Sequence, residues 1–188
     1  DIWTPSGPYI KPQKLDQFAL GFYKKLEFLN FESEFFYKKI KNRIDYIDDA
    51  DLIANNDIET VLLNGKSRAY GAEFLVKKSS GKHRFWIAYT ISKSEQKTGG
   101  IGENDLGINN GEWYLTPYDK THDISFNSSY KIHKKLILNT NFIYQTGQPT
   151  TYPNAQYNYM NLSIPNYGNR NTFRLPNYHR LDFSLILT

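Results

Sequence analysis

Alternation of apolar and polar residues in steps of two is the feature of this sequence that most constrains its fold. A period of two places successive side chains on opposite faces of a β-strand. No segment of comparable length follows the 3.6-residue period of a helix, so the pattern predicts an all-β chain. The apolar positions of the seven alternating segments are Phe18, Leu20 and Phe22; Leu29, Phe31, Phe35 and Tyr37; Tyr70, Ala72, Phe74 and Val76; Phe85, Ile87, Tyr89 and Ile91; Ile124, Phe126 and Tyr130; Leu136, Leu138, Phe142 and Tyr144; and Leu181, Phe183, Leu185 and Leu187.

The two faces of these segments differ in charge. The apolar faces contain no Asp, Glu, Lys or Arg, and their only polar interruptions are Ser33, Ser128 and Thr140. The opposite faces carry charged side chains, among them Glu32, Glu34, Glu73, Arg84, Arg180 and Asp182. Two architectures explain such strands. The apolar face packs on a second sheet in a soluble β-sandwich, and it contacts lipid in a transmembrane β-barrel.

The lengths of strands and connections favour the barrel. Many segments alternate over about ten residues, which is the length that a tilted strand needs to cross a bilayer. The connections alternate strictly between short links, near 25–28, 79–81 and 131–134, and long ones, near 42–67, 97–119 and 147–177. All long connections therefore lie at one end of the sheet, as in outer-membrane barrels with long extracellular loops.

Aromatic residues recur at two depths. Tyr37, Tyr70, Tyr89 and Tyr144 lie near the long connections, and Phe31, Phe85 and Tyr130 lie near the short turns. Aromatic side chains at both membrane–water interfaces form the girdles of transmembrane barrels. This location accounts for much of the 16% aromatic content.

Composition excludes several other classes. The 188 residues include no cysteine, so disulfides, zinc–thiolate sites and cysteine nucleophiles are excluded. The net charge of +4 is spread along the chain and indicates no nucleic-acid partner. Single-chain bacterial barrels have an even number of strands, and no signal peptide precedes the first segment. We therefore expect residues 1–188 to be a fragment of a larger barrel.

Several segments resemble the C-terminal part of the barrel of TonB-dependent outer-membrane receptors, in the form common in Bacteroidota. Their order and spacing extend over nearly the whole chain. The segments are Tyr9-Ile10-Lys11-Pro12 with Leu20-Gly21-Phe22-Tyr23-Lys24, Phe36-Tyr37-Lys38-Lys39-Ile40, Arg68-Ala69-Tyr70-Gly71-Ala72-Glu73, Ala88-Tyr89-Thr90-Ile91-Ser92-Lys93-Ser94, Tyr118-Asp119-Lys120-Thr121-His122-Asp123, Tyr144-Gln145-Thr146-Gly147-Gln148-Pro149 and Pro176-Asn177-Tyr178-His179-Arg180-Leu181-Asp182.

The resemblance implies an antiparallel transmembrane β-barrel of 22 strands, of which about seven are present, in the outer membrane of a Gram-negative cell. It implies active import of a siderophore, cobalamin, glycan or peptide, with energy from the TonB–ExbB–ExbD complex through a TonB box. The plug, the TonB box and the final strands are absent from residues 1–188. The implied partners are the receptor's own plug, the lipid bilayer and a surface-exposed substrate-binding lipoprotein. No cofactor and no enzymatic activity are expected.

Alternative functions remain open from the sequence. A passive outer-membrane channel or a barrel enzyme would show the same strands, and a secreted β-sandwich carbohydrate-binding module would show the same alternation. The long connections hold the candidate substrate-binding aromatics, because aromatic rings stack on sugars and on large ring-bearing ligands. These are Trp113, Tyr114 and Tyr118 in one connection and Tyr152, Tyr157 and Tyr159 in another.

Two further groups of polar residues are candidates for a role. Asp119, His122 and Asp123 stand where a long connection enters a strand, so we interpret them as anchors of the loop to the barrel wall rather than as a catalytic acid–base group. Asp45, Asp48, Asp49 and Asp51 form a weak calcium candidate, since calcium prefers carboxylate oxygens, but their spacing fits no EF-hand. The four histidines show no metal-ligand spacing.

Overall fold

A computed structural model describes residues 6–7, 10–48, 50, 55, 57–100 and 105–187. Residues in this part of the chain form β-strands and two short 3-10 helices, at Ile58–Val61 and Ile108–Gly111. None of these helices has the length and apolarity needed to cross a bilayer. The strands are β1 Lys14–Lys25, β2 Asn30–Tyr46, β3 Leu62–Lys78, β4 His83–Thr98, β5 Tyr114–Leu115, β6 His122–His133, β7 Leu136–Gln145, β8 Pro149–Thr150, β9 Pro153–Tyr159, β10 Leu162–Tyr167, β11 Phe173–Arg174 and β12 Tyr178–Leu187.

Seven long strands form one antiparallel meander in the order β1-β2-β3-β4-β6-β7-β12. They correspond one to one with the seven alternating segments of the sequence, so the predicted antiparallel all-β architecture is confirmed. The short turns at 26–29, 79–82 and 134–135 lie at one end of the sheet. The long connections lie at the other end: we call 47–61 the first connection, 99–121 the second and 146–177 the third.

The strand register places all the apolar segments on one side of the sheet. Residues directly opposite each other on neighbouring strands share a face. One such row crosses six strands and contains Phe31, Val76, Ile87, Phe126, Phe142 and Leu181. The row of Glu34, Glu73, Thr90, Asp123 and Gln145 crosses the other side. We call these sides the apolar face and the polar face.

The apolar face has no protein cover among the described residues. Phe18 is 68% exposed and Phe183 is 66% exposed, although both belong to that face. The buried cluster of Leu63, Ile108 and Tyr114 lies at the long-connection end and not under the sheet. In a β-sandwich a second sheet would cover the apolar face, so this arrangement is that of a barrel wall and not of a sandwich.

The strands run further than the alternating segments toward the long connections, and the extensions carry charge on the apolar face. On β3, Arg68 and Lys78 are the charged residues that flank the uncharged stretch of this face. They are ten residues apart, about 33 Å along a strand at ~3.3 Å per residue. A tilt of about 40° reduces this length to about 25 Å, the height of the apolar band in outer-membrane barrels.

The aromatic residues near the long connections occupy two levels. Tyr37 and Tyr70 are opposite each other on the apolar face, with ring centroids 6.5 Å apart. Tyr89 lies four residues further from the connections than Lys93, the residue opposite Tyr70. Strand tilt displaces neighbouring strands along the barrel axis. Aromatic residues at one membrane depth therefore do not all lie opposite each other in the strand register.

A β-bulge at Asn42 sets the direction of the side chains that follow it. Asn42 has φ of +55°, and the register of β2 against β3 shifts between Lys41 and Arg43. Lys41 therefore lies on the apolar face, whereas Asp45, opposite Leu63, lies on the polar face. The bulge thus aims Asp45 toward the interior of the long-connection end.

Candidate functional site

The three long connections are tied together by one arginine of the third connection. Arg170 donates through Nη1 to Oδ1 of Asp45 at 2.9 Å and to the carbonyl of Tyr46 at 3.0 Å, and through Nη2 to Asp48. Its guanidinium also lies over the Tyr46 ring, 4.8 Å from the centroid. The Asn109 side chain bonds to the backbone N–H and carbonyl of Arg170. One residue therefore joins the third connection to both of the others.

Asp45 is the central acceptor of this network. Its Oδ2 receives hydrogen bonds from the Gln96 side-chain amide and the Tyr114 hydroxyl, each at 2.7 Å, while Oδ1 receives Arg170. Tyr114 is only 5% exposed. Burial raises the pKa of Tyr114 to about 12, so its hydroxyl stays protonated and can donate to Asp45.

Arg170 remains a cation in this network. Burial acts to lower the pKa of the Arg170 guanidinium, but the charges of Asp45 and Asp48 outweigh it and raise the pKa. The side chains of Arg170 and Asp45 are 12% and 11% exposed. A largely buried arginine between two carboxylates forms a charge-assisted contact that holds the connections in a defined arrangement.

A second arginine of the third connection binds Asp119. The Asp119 side chain is completely buried, and its Oδ1 accepts from the backbone N–H of Ser94 on β4 at 2.6 Å. Its Oδ2 accepts from Arg174, which also donates to the carbonyl of Gly147. Asp119 thus contacts both a wall strand and the third connection.

His122 and Asp123 contact separate partners on separate faces. The Nδ1 atom of His122 is 2.9 Å from the Tyr89 hydroxyl, and the two rings are stacked. On the polar face, Asp123 accepts from the Gln145 side-chain amide at 2.9 Å. Adjacent residues of a strand point in opposite directions, so this histidine and carboxylate do not form an acid–base pair.

The predicted substrate-binding aromatics are not brought together into one surface. Tyr114 is buried, and Trp113 is covered by Arg68, whose guanidinium lies 4.2 Å from its ring centroid. Tyr118 is exposed, and its hydroxyl accepts from Arg43 at 3.1 Å. Of the others, Tyr152 is 61% exposed beside Phe173.

Tyr157 and Tyr159 are two exposed rings of the predicted set that lie on the same face of one strand. They lie on β9 of the β9–β10 hairpin and are 56% and 57% exposed. A ligand can therefore reach both rings without any rearrangement of the network around Asp45.

The calcium candidate is only partly within the described residues. Asp45 and Asp48 are both paired with Arg170, while Asp49 and Asp51 lie outside the described part of the chain. Within that part, no group of three or more His, Asp or Glu side chains could hold a metal ion. The Arg170 guanidinium balances the charge of these two carboxylates, as a bound metal ion would.

The roles of Arg170 and Arg174 were not predicted from the sequence. The signal for them is a charge asymmetry between connections. The third connection contains these two arginines and no acidic residue, while the first contains several aspartates. Unequal charge on segments that meet at one end of a sheet indicates pairing between them.

The meander, its uncovered apolar face and its long connections at one end define a wall segment of an antiparallel membrane barrel. The family model "TonB dependent receptor-like, beta-barrel" matches residues 1–187. The chain therefore belongs to the TonB-dependent receptor β-barrel family.

One solved structure shows the same fold over nearly the whole chain. It is the ferric-catecholate import receptor Fiu from K12 E. coli in its closed form, with a TM-score of 0.60 and 18% identity. The match covers 98% of this chain and 23% of that receptor, so the chain spans about a quarter of its length. The comparison with curated proteins finds no match.

Proposed function

We propose that this chain is part of an outer-membrane receptor that imports a substrate with energy from TonB. The observation that carries the proposal is the family match over residues 1–187. The uncharged apolar face, about 25 Å high, supports a location in the outer membrane. In this proposal the seven long strands supply barrel wall, and the three long connections are extracellular.

The polar face lines the barrel interior in this proposal and contacts the receptor's plug. It carries charges of both signs, including Glu34 opposite Glu73 on β2 and β3 and the pair of Arg180 and Asp182 on β12. Two like charges directly opposite each other disfavour strand pairing, so cationic plug groups beside Glu34 and Glu73 would stabilise the wall. TonB–ExbB–ExbD would act through an N-terminal region outside this chain.

The long connections form the outer part of the substrate path. Arg170 and Asp119 hold them in place, and the β9–β10 hairpin offers Tyr157 and Tyr159 to a ligand from outside. Asp119, His122 and Asp123 act as anchors between loop and wall. The substrate belongs to the siderophore, cobalamin, glycan or peptide class, and a surface lipoprotein delivers it in receptors of the Bacteroidota form.

Uptake by cells with and without TonB tests the proposal. The full-length receptor is expressed in a strain that lacks its own receptors, and uptake of labelled ferric siderophores, cobalamin, oligosaccharides and peptides is measured. We expect saturable uptake of one class that disappears when TonB is deleted. Uptake that persists without TonB and rises linearly with concentration would identify a passive channel instead.

The role of the hairpin is tested by the variant Tyr157→Ala/Tyr159→Ala. Each exposed ring that stacks on a ligand contributes on the order of 1 kcal/mol, so we expect the double variant to weaken substrate binding by about tenfold or more. The control is Tyr23→Ala, an equally exposed tyrosine next to the β1–β2 turn at the opposite end of the sheet. Equal binding by the double variant and the control would exclude the hairpin from the substrate path.

A further inference from the structure

The polar face is divided into a charged sector and an uncharged sector. On β2 and β3 this face carries charges of both signs, from Glu32, Glu34, Lys38, Glu73 and Lys77. On β6 it contains no charged residue between Asp123 and Lys131, and β7 contains none at all. We call six residues of this second region the uncharged sector: Trp86 of β4, Ser125, Asn127 and Ser129 of β6, and Asn139 and Asn141 of β7.

The strand register makes the uncharged sector one continuous surface. Trp86 is opposite Asn127, which is opposite Asn141. Two residues nearer the short turns, Ser129 is opposite Asn139. Side chains directly opposite each other have Cβ atoms about 4.5–5.5 Å apart, so a single ligand can contact several of them at once.

The hydrogen-bonding groups of the uncharged sector are free to bind a ligand. In the part of the chain that the structure describes, its asparagine and serine side chains have no hydrogen-bond partner. Each asparagine amide offers two donors and an acceptor, and half-buried polar groups need water or a ligand as a partner. Trp86 adds an aromatic ring that is 36% exposed beside these amides. The sector therefore offers hydrogen bonds and an apolar ring, but no charge.

Charges at the borders of the sector differ between its two sides. Toward β12, Arg180 pairs with Asp182 at 2.8 Å, and Asp123 accepts from a side-chain amide of β7 at 2.9 Å. Toward β3, the sector borders Lys77 and Arg84, which have no ion pair among the described residues. The surface of β6 and β7 between these borders carries no charge that a ligand would have to balance.

The uncharged sector continues into the connection directly above it. The third connection begins where β7 ends, and residues 146–169 contain no Asp, Glu, Lys, Arg or His. This stretch includes the β9–β10 hairpin with its exposed Tyr157 and Tyr159. Arg170 and Arg174, which follow it, are both paired with aspartates. An uncharged surface therefore extends from the outer hairpin to the polar face of β6 and β7.

We propose that the uncharged sector is the part of the barrel wall along which the substrate passes, and that this substrate is uncharged and forms hydrogen bonds. The inference rests on the proposed function, because it requires the polar face to line an interior that conducts a substrate. The plug stays on the charged sector, where its cationic groups meet Glu34 and Glu73.

The chemistry of the two sectors suits these two roles. A conducting path must bind a substrate well enough to admit it and weakly enough to release it. Uncharged amides and hydroxyls meet this requirement, because water replaces a lost hydrogen bond at little cost. Charge-assisted contacts are roughly twice as strong as neutral ones, which suits a plug that must stay in place.

Photocrosslinking in cells that express the full-length receptor tests which sector the substrate contacts. Benzoylphenylalanine is introduced at position 141 of the uncharged sector or at position 75, on the polar face of β3 opposite Glu32. The cells are illuminated during uptake of the labelled ferric siderophores, cobalamin, oligosaccharides and peptides. We expect labelled substrate to be attached at position 141, and a plug peptide at position 75. Plug peptides at both positions with no substrate at 141, or substrate at 75 alone, would overturn the inference.

Single alanine variants provide a second test. Loss of one hydrogen bond changes an equilibrium about fivefold, so we expect Asn127→Ala and Asn141→Ala each to lower the maximal rate of uptake by about that factor. Binding of the substrate at the cell surface is expected to stay unchanged, because the hairpin is intact. The matched control is Gln17→Ala, which removes an amide from the polar face of β1 opposite Lys38, and its uptake is expected to equal that of the unmodified receptor. Equal uptake by all three variants would overturn the inference.

The charge of the imported substrate separates the inference from the function on which it rests. A receptor that imports only anionic ferric siderophores, with energy from TonB, overturns the inference and leaves the proposed function standing. A receptor with no TonB-dependent uptake contradicts both. TonB-dependent import of an uncharged substrate that is attached at position 141 supports both.

Discussion

At the scale of single residues, Arg170 is the contact on which the arrangement of the long connections depends most. Replacing it by Gln leaves Asp45 as a largely buried carboxylate without a cationic partner, which keeps the bonds from Gln96, Tyr114 and the backbone N–H of Tyr46. Removing one partner of a buried ion pair costs about 3–5 kcal/mol. We therefore expect the free energy of local opening of the connections to fall by about that amount. Hydrogen exchange at Tyr46 and Asn109 measures it.

The matched control for Arg170→Gln is Arg180→Gln. Arg180 pairs with Asp182 along one strand, and both side chains are largely exposed. An exposed pair contributes at most about 1 kcal/mol, so hydrogen exchange in the connections is expected to stay unchanged. Faster exchange at Tyr46 in both variants would show that Arg170 has no special role.

Phe126 and Asn127 are adjacent residues that test which face contacts lipid. Phe126 is opposite Ile87 and Phe142, whereas Asn127 is opposite Trp86 and Asn141. Phe126→Arg is expected to destabilise the inserted receptor by about 2–4 kcal/mol, the cost of an arginine on the lipid face near the midplane. Asn127→Arg is expected to be mild. Urea titrations of the receptor in lipid vesicles measure both, and equal losses would refute the assignment of faces.

Residues whose direction follows from local periodicity could be predicted from the sequence, and residues whose partners lie far along the chain could not. Phe126 belongs to an alternating segment, so its face follows from its neighbours. Arg170 meets Asp45 across 125 residues, and no local pattern connects them. Asp45 was predicted only as one carboxylate of a calcium candidate, because the reversal caused by the Asn42 bulge is invisible to a period-two pattern.

At the scale of elements, the second connection contains a group that makes its stability depend on pH. The pKa of Tyr114 is about 12 in the folded protein, against 10.0 for an ordinary tyrosine. Between these values an unfolded connection loses the phenol proton and the folded one keeps it, so the free energy of opening falls as pH rises from 10 to 12. Below pH 10 the protonated Tyr114 hydroxyl stabilises the folded connection in full.

Fluorescence of Trp113, the neighbour of Tyr114, reports this opening when the other tryptophans are replaced by Phe. We expect the thermal transition of the second connection to move to lower temperature between pH 10 and 12. Tyr114→Phe keeps the ring but has no proton to lose, so its transition is expected to be lower at neutral pH and flat over this interval. A transition of the unmodified receptor that does not move would contradict the role of the hydroxyl.

The elements themselves were predictable to different degrees. All seven long strands follow from alternation, because contact with lipid on one face forces every second residue to be apolar. Their extensions toward the long connections, such as Lys39 and Lys41 on β2, were not predicted, because beyond the apolar band both faces carry charge and the alternation ends. The β9–β10 hairpin was also missed. Its strands lie in an Asn-, Tyr- and Pro-rich connection with no buried face to impose a period.

At the scale of the whole molecule, the chain is a barrel wall with two different faces and two different ends. The uncovered apolar face, the polar face with its paired charges, and the interlocked connections at one end are consistent with one orientation in an outer membrane. Family membership follows from residues 1–187. The register then determines which side chains of each strand belong to the apolar face and which to the polar face.

An accessibility scan of β7 in the full-length receptor tests which face of the wall contacts lipid. The chain contains no cysteine of its own, so single cysteines can be placed at each position from Leu136 to Gln145 and spin-labelled in a bilayer. We expect oxygen dissolved in the lipid to reach labels at positions 138, 140 and 142, and a water-soluble relaxation agent to reach those at 139, 141 and 143. A scan without this period of two, or one in which water reaches all positions alike, would contradict the account.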